Sequence, residues 1–308
     1  MEETLVECVA NFSEGRDPAV VNAIRDAIAA SPGITVLDLT MDADHHRSVI
    51  TFAGPPETIA DGAFHGIARA ADLIDLNRHS GVHPRIGAAD VVPFVPLSGV
   101  TMAQCVSLAV ETGRRVWREL GVPVYLYEEA ALLPERKRLE VVRRGGWERL
   151  RTEIRTDPSR RPDIGDAVLH PTAGATVIGA RKFLIAYNID LDTPDVEIAR
   201  QIAVSIRASS GGLPHVKALG VLLRSRNQAQ VTINLTDFEV TPVDEVFAAV
   251  RREAEARGAR IAASELIGLI PRRALDRSSE WLPTVENFSE DSILEVRLRR
   301  LREDPAIQ

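Results

Sequence analysis

Twice along this chain, two strand-like apolar runs follow each other across only a short polar turn. Ile34 to Leu39 is followed by Ser48 to Phe52, and Val216 to Leu223 by Gln230 to Leu235. Parallel neighbours need a long crossover, so runs this close favour antiparallel pairing. Amphipathic helices bracket each pair. Val20, Val21, Ile24, Ala27 and Ile28 recur at helical spacing after an Asp17-Pro18 start, and Ser31-Pro32-Gly33 stops that helix. Pro55 to Leu73 carries a second helix, and Val196 to Ile206 and Pro242 to Ala256, ending at Gly258, follow in the second half. The fold class this predicts is α+β, an α/β layering in two tandem subdomains. Each is a mixed β-sheet covered by helices on one face, ferredoxin-like in character, rather than part of one doubly wound parallel sheet. The expected division is 1–182 and 183–308.

The remaining elements fit between these. Leu5 to Val9 reads as a strand ended by Asn11-Phe12-Ser13-Glu14-Gly15. Thr101 to Leu120 reads as a helix with Thr101 at its N-cap. Val122 to Tyr127, Ala175 to Ile178, Phe183 to Ile189 and Ile261 to Ala263 read as strands, and the last forty residues, from Pro271, as mostly helical. The basic run Arg136 to Arg144 reads as a solvated helix face, and Arg155 to Gly165 as a connector. Val9 to Gly15 and Val285 to Asp291 look alike, but one follows a strand and the other precedes a helix, so the match is read as coincidence.

Composition narrows the function classes. The 308 residues carry a net charge of −7, which argues against general nucleic-acid binding while leaving room for a local basic pocket. Cys8 and Cys105 have no neighbour at metal-ligand spacing, which reads as free thiols in a reducing cytoplasm. The acidic start Met1-Glu2-Glu3 is unlike a signal peptide, and no apolar run is long enough to span a membrane.

The chemistry concentrates in Arg78-His79-Ser80-Gly81-Val82-His83-Pro84-Arg85-Ile86-Gly87-Ala88-Ala89-Asp90. Pro84 restricts the backbone of His83 and Gly81 permits close approach. An imidazole there is a general-base candidate or a structural histidine bonded to backbone. His79 and His83 are four apart, but Gly81 lies between them and no HExxH pattern exists, so no metal is expected. Asp42, Asp44, His45, His46 and Arg47 form a second polar cluster between two strands, readable as a functional loop or an exposed turn. Gly165 to Gly174 (GDAVLHPTAG) is a glycine-bounded loop that suits close contact with a flat or anionic ligand, with Arg181 and Lys182 following it. No GxGxxG, P-loop, GxSxG or catalytic-cysteine signature is present.

The chain resembles the glutamate formiminotransferases (glutamate formimidoyltransferases). The resemblance runs from LVECVANFSEG through RHSGVHPRIGAADVVPFVP, GVTMAQC, LGVPVYLYEEAA, GATVIGARKFLIAYNI and QVTINLTDFEVTP to SELIGLIPRRAL, in order over nearly the whole chain. It implies two α/β subdomains, usually in a homodimer, with folate in a positively charged passage between them. The implied reaction moves the formimino group of N-formimino-L-glutamate to tetrahydrofolate, the co-substrate. It gives 5-formiminotetrahydrofolate and L-glutamate in histidine degradation, without a metal. The family's catalytic histidine falls on His83. Its folate-binding loop falls on Gly165, Asp166, Ala167, Val168, Leu169, His170, Pro171, Thr172, Ala173 and Gly174. Arg47, Arg85, Arg181 and Lys182 are candidates for the substrates' carboxylates. Val82, His170, Ala173, Thr40 and Glu128 depart from the animal pattern, which has Glu, an apolar residue, Trp, Asp and Gly there. The animal cyclodeaminase domain has no counterpart, so a monofunctional enzyme is expected. Formyl transfer or 5-formyltetrahydrofolate metabolism, and non-catalytic folate binding, are the alternatives. The partners expected are these small molecules, with no nucleic acid or membrane.

Overall fold

The computed structural model describes residues 4–43, 45–79, 84–224 and 226–303. The chain separates into two compact units between Arg181 and Lys182. The first begins with β1 (Leu5–Phe12), α1 (Pro18–Ala29), β2 (Thr35–Asp42), β3 (Arg47–Gly54), α2 (Pro56–Leu73) and β4 (Ala89–Ser98). It continues with α3 (Met102–Leu120), β5 (Val124–Glu128), α4 (Leu139–Val142), α5 (Gly146–Glu153) and β6 (Thr176–Ala180). Its sheet runs β2-β3-β1-β4-β6-β5. The β1, β2, β3 and β4 pairings are antiparallel, whereas β6 lies parallel to both β4 and β5.

The second unit repeats the first six elements as β7 (Ile185–Leu191), α6 (Val196–Ile206), β8 (Val216–Leu223), β9 (Gln228–Leu235), α7 (Val243–Glu255) and β10 (Ile261–Ile267). Its sheet runs β10-β7-β9-β8, antiparallel throughout. In both units the first strand is central, between the third and fourth, with the second at the edge. This is the βαββαβ ferredoxin-like pattern. The look-alike segments Val9–Gly15 and Val285–Asp291 play no part in this repeat, because β1 corresponds to β7.

Strand alternation sets the layers. Val6, Cys8, Ala10 and Phe12 of β1 join Val21, Ile24 and Ile28 of α1, Ile59 and Ile67 of α2, and Cys105 and Val116 of α3 in one core. A smaller core lies where Val91, Tyr125, Tyr127 and Val177 meet Val142, Leu150 and Ile154. The parallel strands are therefore covered on both faces, as such strands require. The α3 start is a full capping box: Gln104 N–H donates to Thr101 Oγ1, and Thr101 N–H to Gln104 Oε1.

Two stretches differ from their sequence reading. Among the described residues after Pro271, the chain makes three short 3-10 turns and one α-helix, α8 (Leu294–Glu303). Non-local bonds hold it there, with Ile270 N–H donating to Ser292 O and Leu294 N–H to Ile270 O. The basic run Arg136 to Arg144 is only in part a solvated face: Lys137, Arg138 and Arg144 are exposed, whereas Arg136 and Arg143 turn inward. Arg136 is buried against Asp163 at 2.6 Å and also donates to the Ser159 and Arg161 carbonyls. Arg143 pairs with the buried Asp90. Guanidiniums are tolerated inside only when paired in this way.

Candidate active site

Ser80, Gly81, Val82 and His83 lie outside the described residues, as does Asp44. The chain on both sides of 80–83 is described, and the Gly165–Gly174 loop is bonded to it on both sides. Leu76 N–H donates to Thr172 O at 2.9 Å, and Asn77 Nδ2 to Pro171 O at 3.0 Å. After Pro84, Ala88 N–H donates to Ala173 O at 2.9 Å and Ala175 N–H to Ile86 O at 3.0 Å. Two segments more than eighty residues apart in sequence are thus joined, with an antiparallel bridge between Gly87 and Gly174. Gly87 makes this approach possible, since a Cβ there would sit 1.8 Å from Ala175 O.

The loop end is a tight reversal. His170 and Gly174 exchange backbone hydrogen bonds of 2.9 and 3.1 Å, with Gly174 at φ +71°. Inside the turn His170 Nδ1 accepts from Ala173 N–H at 3.0 Å. That acceptance leaves the ring proton of the neutral imidazole on Nε2, and burial pushes the His170 pKa down.

A second polar group gathers at the same end of the sheet. The His46 and His79 rings stack at 4.0 Å and 7°. His79 Nε2–H donates to His46 O at 3.0 Å, and His46 Nε2 meets Glu14 Oε1 at 3.1 Å. Burial pushes His79 down to about 4, so its ring is neutral near neutral pH. Glu14 is also desolvated, yet the backbone N–H groups of Gly15, Arg16 and Asp17, at 2.7–3.0 Å, and His46 hold its carboxyl below the usual range. Asp42 bonds His45, and both are exposed, whereas His46 and Arg47 are half-buried.

The 5–181 stretch matches the family model for the N-terminal subdomain of the formiminotransferase domain, and 186–301 matches that for the formiminotransferase domain. The chain is 46% identical to a glutamate formimidoyltransferase of Thermoplasma acidophilum over 96% of its own length and 98% of that protein. It is 42% identical to one of Streptococcus pyogenes, over 92% and 95% respectively. It is 45% identical to the formimidoyltransferase-cyclodeaminase of Mus musculus over 88% of this chain but 51% of that one. This chain belongs to the formiminotransferase family.

The four candidate cations of this formiminotransferase sit in different settings. Arg85 is buried, with Nη2 donating to Glu148 Oε1 at 2.8 Å and to His79 O at 3.1 Å. Arg47 starts β3. Burial, then the neighbouring Arg143, lowers its pKa, while Asp42 and Asp90 oppose the shift. Arg181 ends the first unit and influences Glu7 and Tyr127 electrostatically. Lys182 opens the second unit, where its Nζ meets Asp237 Oδ2 at 2.5 Å.

Of the departures from the animal pattern, Thr40 is exposed on β2 opposite Val49. Glu128 is held at φ +52°, a left-handed conformation that suits a glycine and costs other residues roughly 1–2 kcal/mol. Ala173 is buried. The indole beside the turn comes instead from Trp147, whose Cδ1 would lie 3.1 Å from a Cβ on Gly174.

Several residues around this site escaped sequence reading. Asp90 accepts from Ile86 N–H at 2.8 Å while pairing with Arg143, which braces the segment after Pro84. Trp147 N–H donates to Arg85 O at 2.7 Å, which attaches α5 to the same segment. Asp90 stood in the quoted motif, but nothing local in the sequence joins it to Arg143, or Trp147 to Arg85.

Proposed function

We propose that this chain transfers the formimino group of N-formimino-L-glutamate to tetrahydrofolate, giving 5-formiminotetrahydrofolate and L-glutamate. Membership of the family and full-length similarity to glutamate formimidoyltransferases support the reaction. The observation that carries the site is the bonding of the Gly165–Gly174 loop to both flanks of the His83 segment.

In this reading His83 is the proton carrier and the loop binds folate. A pteridine nitrogen attacks the formimino carbon, forming the new C–N bond, and gives its proton to the neutral His83 imidazole. The tetrahedral intermediate then breaks its bond to the glutamate nitrogen. That nitrogen takes the proton back from the imidazolium and leaves as the amine. Holding the two substrates together contributes the larger effect, up to about 7–11 kcal/mol in well-oriented cases. Arg47, Arg85, Arg181 and Lys182 remain the proposed carboxylate partners, and a cytoplasmic homodimer the proposed state.

A steady-state assay with formiminoglutamate and tetrahydrofolate tests the reaction, with formylglutamate as the competing donor. His83→Ala is expected to lower turnover by roughly 100-fold or more while folate binding persists. Full activity in that variant sinks the base assignment. Preference for formylglutamate sinks the formimino reading, and folate binding without transfer from either donor sinks the enzyme reading.

A further inference from the structure

The two units each hold a surface cleft, and their linings have opposite character. The larger, about 500 Å³, is in the second unit, and Glu239, Asp244, Glu245 and Asp276 outnumber Arg273 and Arg277 along it. The smaller, about 260 Å³, is in the first unit. It is formed by α5 and the residues just after it, with Trp147, Arg151 and Arg155, and by Leu169, His170 and Pro171 of the loop. Among the described residues no carboxylate lines it.

Three features equip the smaller cleft for an anion. Arg151 and Arg155 are exposed and make no ion pair among the described residues. Around them Arg136, Arg143, Arg149 and Arg160 are all paired with carboxylates. The Arg151 guanidinium lies over the Trp147 ring at 4.4 Å, which stiffens it and holds its charge at the cleft. Trp147 itself is 5% exposed, so it is a fixed support for that guanidinium. The tautomer of His170 adds a further N–H donor on Nε2.

The volume falls below the roughly 300–1,000 Å³ of clefts that enclose drug-sized ligands, so the cleft suits the end of a molecule rather than a whole folate. We infer that it binds a glutamyl carboxylate group, the chemistry shared by the tail of tetrahydrofolate and by formiminoglutamate. Guanidinium forks recognise carboxylates with two parallel bonds, and the loop wall puts such a group beside the proposed folate loop. This rests on the functional reading above.

The test is the charge-removing variant R151Q/R155Q in the full chain, with R151K/R155K as the charge-preserving control. Both positions are exposed, so folding is expected to survive. The KM of the substrate whose glutamyl end occupies the cleft should rise about tenfold or more, with partial recovery in the lysine control. With tetrahydropteroate, which lacks the glutamyl group, as acceptor, loss of the difference between wild type and variant assigns the cleft to the folate tail. A difference that persists in the KM of formiminoglutamate assigns it to the donor. Unchanged KM values for both substrates overturn the inference.

If the wild type proves inactive, the functional reading fails, and the cleft is decided separately by titrating L-glutamate and 5-formyltetrahydrofolate against Trp147 fluorescence. A saturable change absent from Trp147→Phe and weakened in R151Q/R155Q supports it. No difference between wild type and R151Q/R155Q overturns it.

Discussion

The two units follow the same βαββαβ path, and each buries a carboxylate on its first strand, near the start of that strand in one unit and near its end in the other, but treats it in opposite ways. β1 and β7 are the matching central strands, and each carries a buried carboxylate on the face opposite its main apolar residues. In the second unit this is Asp190, and it is fully engaged. Gln230 Nε2 donates to Asp190 Oδ1 at 2.8 Å and to Glu265 Oε1 at 3.2 Å, Asn188 donates to Glu265 at 2.9 Å, and Arg226 reaches Asp190 Oδ2 at 3.2 Å. In the first unit it is Glu7, 1% exposed, with Oε2 unpartnered among the described residues. A satisfied network specifies a structure, whereas a buried acceptor without a donor is a standing cost. One topology therefore hosts a carboxylate that stabilises its unit and another that weakens its own.

Glu7→Gln should separate the two most strongly. Burial raises the Glu7 carboxyl to about 7 from the ordinary 4.5, with Arg181 only partly opposing. The folded chain therefore holds this proton more tightly than the unfolded chain. Glu7's contribution to stability is full below pH 4.5, falls as pH rises towards about 7, and is flat beyond. The loss amounts to roughly 3 kcal/mol. Glu7→Gln removes it, so urea unfolding at pH 5 and pH 8 should show the variant gaining on wild type at the higher pH. Parallel pH profiles would remove the distinction between the units.

Gln230→Leu should act in the opposite direction. It takes a donor from both Asp190 and Glu265 while keeping apolar bulk, and is expected to destabilise by about 1–3 kcal/mol. Burial already raises the Asp190 pKa, although Gln230 works against that shift. Losing Gln230 should raise it further, so the deficit grows as pH rises and Asp190 ionises. Measured chemical unfolding that left stability unchanged would mean the network contributes nothing.

Why the sequence disclosed some of this and hid the rest follows from the range of the forces involved. α6 is legible to its ends because an apolar stripe and an Asp cap are local signals, and α3 because Thr101 and Gln104 cap each other within four residues. The 3-10 turns after Pro271 are not legible, because they depend on bonds such as Ile270 to Ser292 and Glu286 to Ser264 that no local pattern announces. The site divides in the same way. Gly87 and Gly174 stand out as glycines near polar groups, but that they exist to let two distant segments touch is visible only when Ala175 O is found against Gly87. Arg136 and Arg143 look like surface charges until Asp163 and Asp90 are seen to face them. Of the Glu7 and Asp190 pair, the sequence shows two acidic residues in apolar runs and nothing of which one has a partner.

The smallest expected effect tests whether the repeat is also energetic. α1 and α6 are the matching first helices, and both begin the same way. Asp17 Oδ1 accepts from Ala19 N–H at 2.8 Å, and Asp195 Oδ1 from Glu197 N–H at 2.9 Å. Each cap is exposed and satisfies a helix-end donor that otherwise relies on water. Asp17→Ala and Asp195→Ala should each cost about 1 kcal/mol, and the double variant should cost their sum, because the two sites share no partner. Asp195 also precedes Glu197, an acidic residue in the first turn that α1 lacks, so part of the favourable interaction with the α6 N-terminus survives its loss. The Asp17 change should therefore be slightly the larger. Thermal unfolding of the two single variants and the double variant checks this. A cost confined to one cap would show that the two units repeat a chain path without repeating its local energetics.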